Sequence, residues 1–272
     1  MIYVLGDSFS TGAELSDHLI PSWPGHNSTE TDHVAYQKWF DDPATQKEID
    51  DIEDRDGFEI LFNTQQSLSW SGQLAEVTGR KVINQSAAGS GPSYWPYKLS
   101  QDLKEYSPDT VILQFTSIDR EILFVRENIN AVRAKFITAG SLPMAGLETD
   151  YFISLKMLED FVSNFYRFLL TVSISQAICR GHGVKNIHVV STFNFVDAIL
   201  PPIGEYTKLM QSPDIVKAWN NTGVDWLNID TIQSCSSQSH CWLSEMPNGH
   251  YNAATYRRFA EMIASKYILN TV

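Results

Sequence analysis

The chain has 272 residues, 43% of them hydrophobic, which is enough to bury the core of one α/β domain that carries an insertion. Its formal net charge of -12 at pH 7 argues against nucleic acid and anionic membranes as partners and favours neutral or cationic ones. The sequence offers no run of roughly 18 apolar residues that would span a bilayer, and it starts without the basic and apolar regions of a secretory signal. We therefore expect a soluble, cytoplasmic protein.

In chain order, short apolar runs predict strands and amphipathic runs that stop at glycine or before proline predict helices. The predicted elements are strand Ile2–Leu5, helix Trp70–Thr78, strand Lys81–Asn84, helix Tyr94–Tyr106, strand Thr110–Phe115, a helix from Tyr151 to about Arg180, strand Asn186–Ser191, strand Trp226–Ile229 and helix Asn252–Tyr267. The strands are mostly apolar on both faces, which is typical of buried parallel strands. The alternation predicts a flavodoxin-like three-layer α/β/α sandwich around a five-stranded parallel sheet.

We expect one domain over residues 1–272, interrupted by an insertion at about 17–67. This stretch is acidic between Asp41 and Asp56 and contains scattered aromatic residues. It is read either as a solvated loop or as a lid or binding segment. A second irregular stretch, Ile137–Thr149, is a candidate for lining the same mouth.

The cysteines, Cys179, Cys235 and Cys241, are too few and too unevenly spaced for a disulfide scaffold, so free thiols are expected. Cys235, His240 and Cys241 lie close together in sequence. They lack the second pair of ligands that zinc spacing requires, so we expect neither a metal nor a cofactor.

The first predicted strand leads into Gly6-Asp7-Ser8-Phe9-Ser10, with Ser8 at the start of a helix. Unpaired N–H groups at a helix start can stabilise an oxyanion that forms beside a serine oxygen. The alternative reading is that Asp7 or Ser8 only caps the helix.

Three further loops follow predicted strands or open the last helix. Asn84–Gly91 is rich in small residues and could bring the Gly89 N–H to the same oxyanion, although a plain turn is the simpler reading. Thr116–Glu121 contains Asp119 and Arg120, for which a structural ion pair is the alternative role. His250 stands before the last helix as a candidate general base or a surface residue. Since ligands bind beyond the carboxyl ends of parallel strands, these loops are expected to converge.

These blocks, in this order and over nearly the whole chain, resemble the SGNH/GDSL hydrolase superfamily. Gly6-Asp7-Ser8 is similar to its nucleophile block, Gly89 to its second-block glycine, and Asn248-Gly249-His250-Tyr251-Asn252 to its last block. The resemblance implies a serine hydrolase of carboxylic esters, O-acetyl groups of glycans being one candidate substrate. Ser8 would be the nucleophile, His250 the base, and the N–H groups of Ser8 and Gly89 the oxyanion hole.

Two departures from the family pattern stand out. The third block of the family ends in Gly-x-Asn-Asp, and here Ile118 occupies the asparagine position, so one oxyanion donor is missing; Thr116, Ser117 or Gln114 are candidate replacements. The acidic residue three before the histidine is absent, because Pro247 stands there, which suggests a dyad or an acid supplied by Glu245 or Asp230. The residues considered as supporting the site are Asp7, Thr116, Ser117, Asp119, Arg120, Asn248 and Glu245.

The departures motivate a second hypothesis, a catalytically impaired SGNH-like binding or virion-associated module. Pro108–Glu121 resembles uncharacterised SGNH-like proteins found in bacteriophage genomes, so a phage-encoded protein is expected. A third hypothesis, a flavodoxin-like nucleotide or flavin binder, shares the fold class. The sequence lacks the phosphate-binding glycine motifs that such a site uses.

Overall fold

The computed structural model of the chain describes residues 1–12, 15, 19, 39, 41–52, 58–118, 121–128, 131–137, 161–195, 203–236 and 251–269. The strands are β1 (Ile2–Leu5), β2 (Val82–Asn84), β3 (Thr110–Phe115), β4 (Glu121–Asn128), β5 (Ala131–Ile137) and β6 (Asn186–Ser191). The α-helices are α1 (Ser8–Thr11), α2 (Pro43–Ile52), α3 (Phe58–Leu68), α4 (Trp70–Thr78), α5 (Tyr94–Tyr106), α6 (Phe161–Gly181), α7 (Ile203–Leu209), α8 (Pro213–Asn221) and α9 (Ala253–Ile263), and a π-helix, Ala264–Leu269, continues α9.

Within the described residues, four parallel strands form one sheet in the order β2-β1-β3-β6. β1 is central: its first residue, Ile2, lies opposite Val82 of β2 and Thr110 of β3. Because these strands run in the same direction, the loops that follow them lie along one edge of the sheet. This edge carries Ser8, Gly89 and Thr116, which follow β1, β2 and β3.

Helices cover both faces of the sheet and make three layers. On one face, alternate strand residues pack with α5 and α6 in a cluster that includes Tyr3, Leu5, Leu113, Phe115, Leu99 and Phe168. On the other face, the intervening residues pack with α4 and α9 in a cluster that includes Ile2, Val4, Ile112, Trp70, Leu74 and Phe259. All residues of β1 and β3 are buried, which explains their apolar sequences. The predicted α/β/α sandwich around a parallel sheet is confirmed.

The prediction of a fifth strand at Trp226–Ile229 is wrong. Trp226–Asn228 is a short 3-10 helix. Asn228 Nδ2 donates to Asp225 at 3.0 Å, and Trp226 Nε1 donates to Thr222 Oγ1 at 3.0 Å. These local bonds compete with strand pairing, and Leu227 is left 55% exposed. Among the described residues, an isolated parallel bridge between Ser191 and Thr231 lies beside β6 where a fifth strand was expected.

The helix predictions are largely confirmed. Trp70–Thr78 and Tyr94–Tyr106 have the expected bounds, and the last helix starts at Ala253 with Asn252 as its N-cap. The long predicted helix is observed as Phe161–Gly181, and residues 151–160 lie outside the described ranges. No helix in the described ranges is long and apolar enough to cross a bilayer.

Several elements were not predicted. β4 and β5 form an antiparallel pair that follows Thr116–Ile118 in the chain. α7 and α8 follow β6, and the expected insertion contains α2 and most of α3. Residues 138–149 of the second irregular stretch lie outside the described ranges.

Candidate active site

The first strand ends in a tight turn that places Ser8 at the start of α1. Gly6 has no room for a side chain, since a Cβ there would lie 2.3 Å from both Gln114 Oε1 and Ser10 Oγ. Asp7 is buried and caps α1 by accepting a hydrogen bond from Phe9 N–H at 3.1 Å. Ser8 is therefore the first helical residue beyond the carboxyl end of the central strand.

The loop after β2 is bound to this turn at two points. Ala87 N–H and the Ser90 hydroxyl both donate to the Gly6 carbonyl oxygen, at 3.0 and 2.8 Å. Gly89 lies between them with a φ of 76°, a left-handed conformation that favours glycine. Gly89 is exposed, and its N–H makes no hydrogen bond within the described part of the chain. The loop thus presents the unengaged Gly89 N–H next to the Ser8 turn.

Asn84, the last residue of β2, fastens α1 to the neighbouring helices. Its Nδ2 lies 2.8 Å from the Ser10 carbonyl oxygen, 2.8 Å from Ser71 Oγ and 2.9 Å from Gln66 Oε1. Gln66 belongs to α3, which lies mostly within the expected insertion. The C-terminal end of the insertion is therefore tied to the helix that begins at Ser8.

A buried glutamine connects the ends of three strands. Gln114 of β3 is 1% exposed, and its Oε1 accepts from Asp7 N–H at 3.1 Å and from Ser10 Oγ at 2.8 Å. Its Nε2 lies 2.5 Å from Thr192 Oγ1 and 3.3 Å from Thr116 Oγ1. Both ends of the carboxamide are thus engaged inside the protein, so Gln114 is a support of the turn rather than an oxyanion donor.

The residue at the family's asparagine position belongs to the core. Ile118 is partly buried and packs against the cluster on the α5 and α6 face. Thr116 and Ser117, directly before it, are partly exposed at the edge of the sheet. The structure therefore agrees with the sequence that the side chain at position 118 provides no hydrogen-bond donor.

Aromatic side chains connect the start of the last helix with the Ser8 turn. Tyr251 is buried, and its ring centroid lies 6.0 Å from that of Phe9, the residue after Ser8. Phe193, which follows β6, contacts Phe9 edge-on at 5.7 Å. The start of the last helix therefore lies at the same edge of the sheet as α1.

Some of the candidate residues cannot be placed, because they lie outside the described ranges. They are Asp119, Arg120, Glu245, Asn248 and His250. His240 and Cys241 also lie outside, and the described residues contain no cluster of three metal-ligating side chains.

Asp230, considered as an orienting acid, is engaged at the C-terminal end of the chain. It accepts from Lys266 Nζ at 2.8 Å and from the Tyr267 hydroxyl. Burial, together with the hydrogen bond to Asp230, raises the pKa of Tyr267 to about 12. His188 stacks on Tyr267 at 4.1 Å, and burial lowers its pKa to about 4. Asp230 therefore binds the π-helix, and His250, the residue that it was considered to orient, lies outside the described ranges.

The sequence motifs do not predict the support of the turn by Ser10, Trp70 and Thr192. Trp70 Nε1 donates to Ser10 Oγ at 3.0 Å, and Ser10 in turn contacts Gln114. A signal was present, since Gln114 is a polar residue near the end of a strand whose other positions are almost all apolar. Thr192 also follows directly on β6, at the edge where ligands bind in parallel sheets.

Neither a protein-family model nor a curated protein sequence matches the chain. Solved structures with an overall likeness include TesA (11% identity, 97% of this chain and 96% of that one, TM-score 0.45). They also include a putative lipolytic protein of the G-D-S-L family from Desulfitobacterium hafniense DCB-2 (12% identity, 97% of both chains, TM-score 0.42). A family two carbohydrate esterase from Clostridium thermocellum in complex with cellohexaose is similar at 13% identity (97% of this chain, 63% of that one, TM-score 0.42). Likeness at this level does not extend to function.

Proposed function

We propose that the chain is a serine hydrolase of carboxylic esters of the SGNH/GDSL type, with Ser8 as the nucleophile and His250 as the general base. The observation that carries this proposal is the ring contact between Phe9 and Tyr251, the residues that follow Ser8 and His250. Neighbouring Cα atoms are only about 3.8 Å apart, so this contact supports a meeting of hydroxyl and imidazole.

In the proposed reaction, Ser8 Oγ bonds to the ester carbonyl carbon while its proton passes to His250. The carbonyl electron pair moves onto oxygen, and the N–H groups of Ser8 and Gly89 stabilise the resulting oxyanion. When the carbonyl reforms, the bond to the alcohol breaks and the alcohol takes the proton from His250. Water then attacks the acyl-enzyme in the same way, giving the carboxylic acid and restoring Ser8.

The substrate class within the esters is proposed from the sequence. O-acetyl groups on glycans suit an acidic chain with aromatic residues in its insertion, because indole and phenol rings pack on sugar faces. The described end of this insertion, α3, is bonded through Gln66 to Asn84 beside α1. A segment fixed at that point is well placed to contact a bound glycan.

The test is covalent labelling of the intact chain with a fluorophosphonate, followed by mass spectrometry, together with hydrolysis of p-nitrophenyl acetate. We expect one label, on Ser8. Ser8→Ala should abolish both labelling and turnover, and His250→Ala should slow both by at least about a thousandfold. Ser100→Ala is the matched control, because Ser100 is an exposed serine of α5 whose hydroxyl bonds only within its own helix.

The rival function is an SGNH-like binding module that has lost catalysis, and the core packing of Ile118 favours it. That rival predicts no labelling of the wild-type chain at neutral pH and equal background hydrolysis by wild-type and Ser8→Ala. Labelling at another serine with Ser8 unmodified would also rule out the nucleophile named here.

A further inference from the structure

Hydrogen-bond direction in the network around Gln114 identifies a hydroxyl proton that no acceptor in the network takes up. The indole Nε1–H of Trp70 can only donate, and it donates to Ser10 Oγ at 3.0 Å. The Ser10 hydroxyl proton is therefore directed to Gln114 Oε1, 2.8 Å away, where Asp7 N–H also donates at 3.1 Å. Two donors facing one end of the carboxamide fix that end as the oxygen.

The other end of Gln114 is consequently the NH₂ group, which faces two threonines. Nε2 lies 2.5 Å from Thr192 Oγ1 and 3.3 Å from Thr116 Oγ1, and the two hydroxyl oxygens are 2.7 Å apart. Both threonine oxygens therefore accept hydrogen bonds from Gln114. What remains is the direction of the bond between the two hydroxyls.

Burial decides that direction. Thr192 is 0% exposed, and in the described residues its hydroxyl has no acceptor other than Thr116 Oγ1. If Thr116 donated to Thr192, the Thr192 proton would be buried without a partner, at a cost of about 1–3 kcal/mol. Thr116 is partly exposed, so its proton can be satisfied from outside. Thr192 therefore donates to Thr116, and the Thr116 hydroxyl proton is left for an acceptor beyond the network.

We propose that Thr116 is a catalytic residue whose hydroxyl donates to the oxyanion, in place of the amide that is missing at position 118. One carboxamide holds Asp7, the neighbour of Ser8, at its oxygen end and Thr116 at its nitrogen end. The donor and the nucleophile are thus positioned by the same side chain. Gln114 and Thr192 are positioning residues, because they act by orienting the Thr116 hydroxyl.

This inference rests on the proposed hydrolase function and is tested by Thr116→Val and Thr116→Ser. Valine keeps the shape and loses the hydroxyl, whereas serine keeps the hydroxyl. For Thr116→Val we expect kcat on p-nitrophenyl acetate to fall about a hundredfold with little change in KM, and the fluorophosphonate labelling rate to fall in parallel. Thr116→Ser should recover kcat to within about threefold of wild type.

Thr78→Val is the matched control, because the Thr78 hydroxyl bonds only to the Leu74 carbonyl oxygen in α4 and to Arg80 N–H. It should leave kcat and labelling unchanged. The proposal is overturned if Thr116→Val keeps wild-type kcat, if the loss lies in KM alone, or if Thr116→Ser is as slow as Thr116→Val. Absence of turnover and labelling in the wild-type chain is a different result, since it refutes the nucleophile and the hydrolase itself.

Discussion

Replacing Gly6 with alanine tests the packing of the Ser8 turn. A Cβ at this position would lie 2.3 Å from Gln114 Oε1 and 2.3 Å from Ser10 Oγ. Both atoms belong to buried side chains, and real contacts of this kind are about a full ångström longer. Gly6 does not have a positive φ, so the effect of alanine is steric rather than conformational.

The expected cost follows from the bonds that must break. Moving Gln114 Oε1 away separates it from Asp7 N–H and from the Ser10 hydroxyl, and each buried polar group left unpaired costs about 1–3 kcal/mol. We therefore expect Gly6→Ala to lower the free energy of unfolding by about 3–5 kcal/mol. The same displacement should suppress labelling at Ser8, because it moves the turn that presents the hydroxyl.

Two glycines provide controls for this measurement by urea denaturation. Gly181, at the end of α6, has open space around its Cβ position and no positive φ, so alanine there should change stability by less than about 1 kcal/mol. Gly79 has equally open space but a φ of 61°, so alanine there should cost about 1 kcal/mol through backbone strain. If Gly6→Ala were as stable as Gly181→Ala, the close packing described for the turn would be wrong.

Two further outcomes are expected. His188 lies among Asp230, Lys266 and Tyr267, and burial lowers its pKa to about 4. Between about pH 6.5 and pH 4 the unfolded chain therefore binds a proton at His188 that the folded chain does not bind. The free energy of unfolding should therefore fall by about 3 kcal/mol as the pH drops through this window. Urea titrations of His188→Phe should show a flatter dependence of that free energy on pH. If wild type and His188→Phe showed the same dependence, His188 would not be its source. Asn84→Ala removes the amide that bonds to Ser10, Ser71 and Gln66. It should lower the free energy of unfolding by about 2–3 kcal/mol and slow the labelling of Ser8. Wild-type values in both assays would show that Asn84 does not hold α1 in place.

The sequence predicted the central part of the fold because its signals there are local. β1 and β3 are largely apolar runs that are buried throughout, and β6 is buried over its last three residues. α4 has its cap at Ser69 and its stop at Gly79. Trp226–Ile229 is also a short, mostly apolar run, but Asn228 within it bonds to Asp225 and Trp226 bonds to Thr222, and its first three residues form a 3-10 helix. Periodicity alone could not separate these two cases.

The site was predicted at the level of which loops converge, and not at the level of which side chains bond. Gln114 contacts Asp7 across 107 positions of the chain and Thr192 across 78. Nothing in the residues around Gln114 specifies these partners, since they meet only once the parallel strands are aligned. The sequence could therefore name Thr116, Ser117 and Gln114 as equivalent candidates, whereas the hydrogen-bond directions distinguish them.

Because β1 lies inside the sheet, we expect the start of the Ser8 turn to move only slowly. Its backbone is paired on both sides, with β2 and with β3, so its amides open only in the larger and rarer fluctuations of the fold. Hydrogen exchange at Tyr3 and Val4 should accordingly be among the slowest in the molecule. The serine thus follows a strand that is held on both sides, so we expect any adjustment to a substrate to occur in the segments around it.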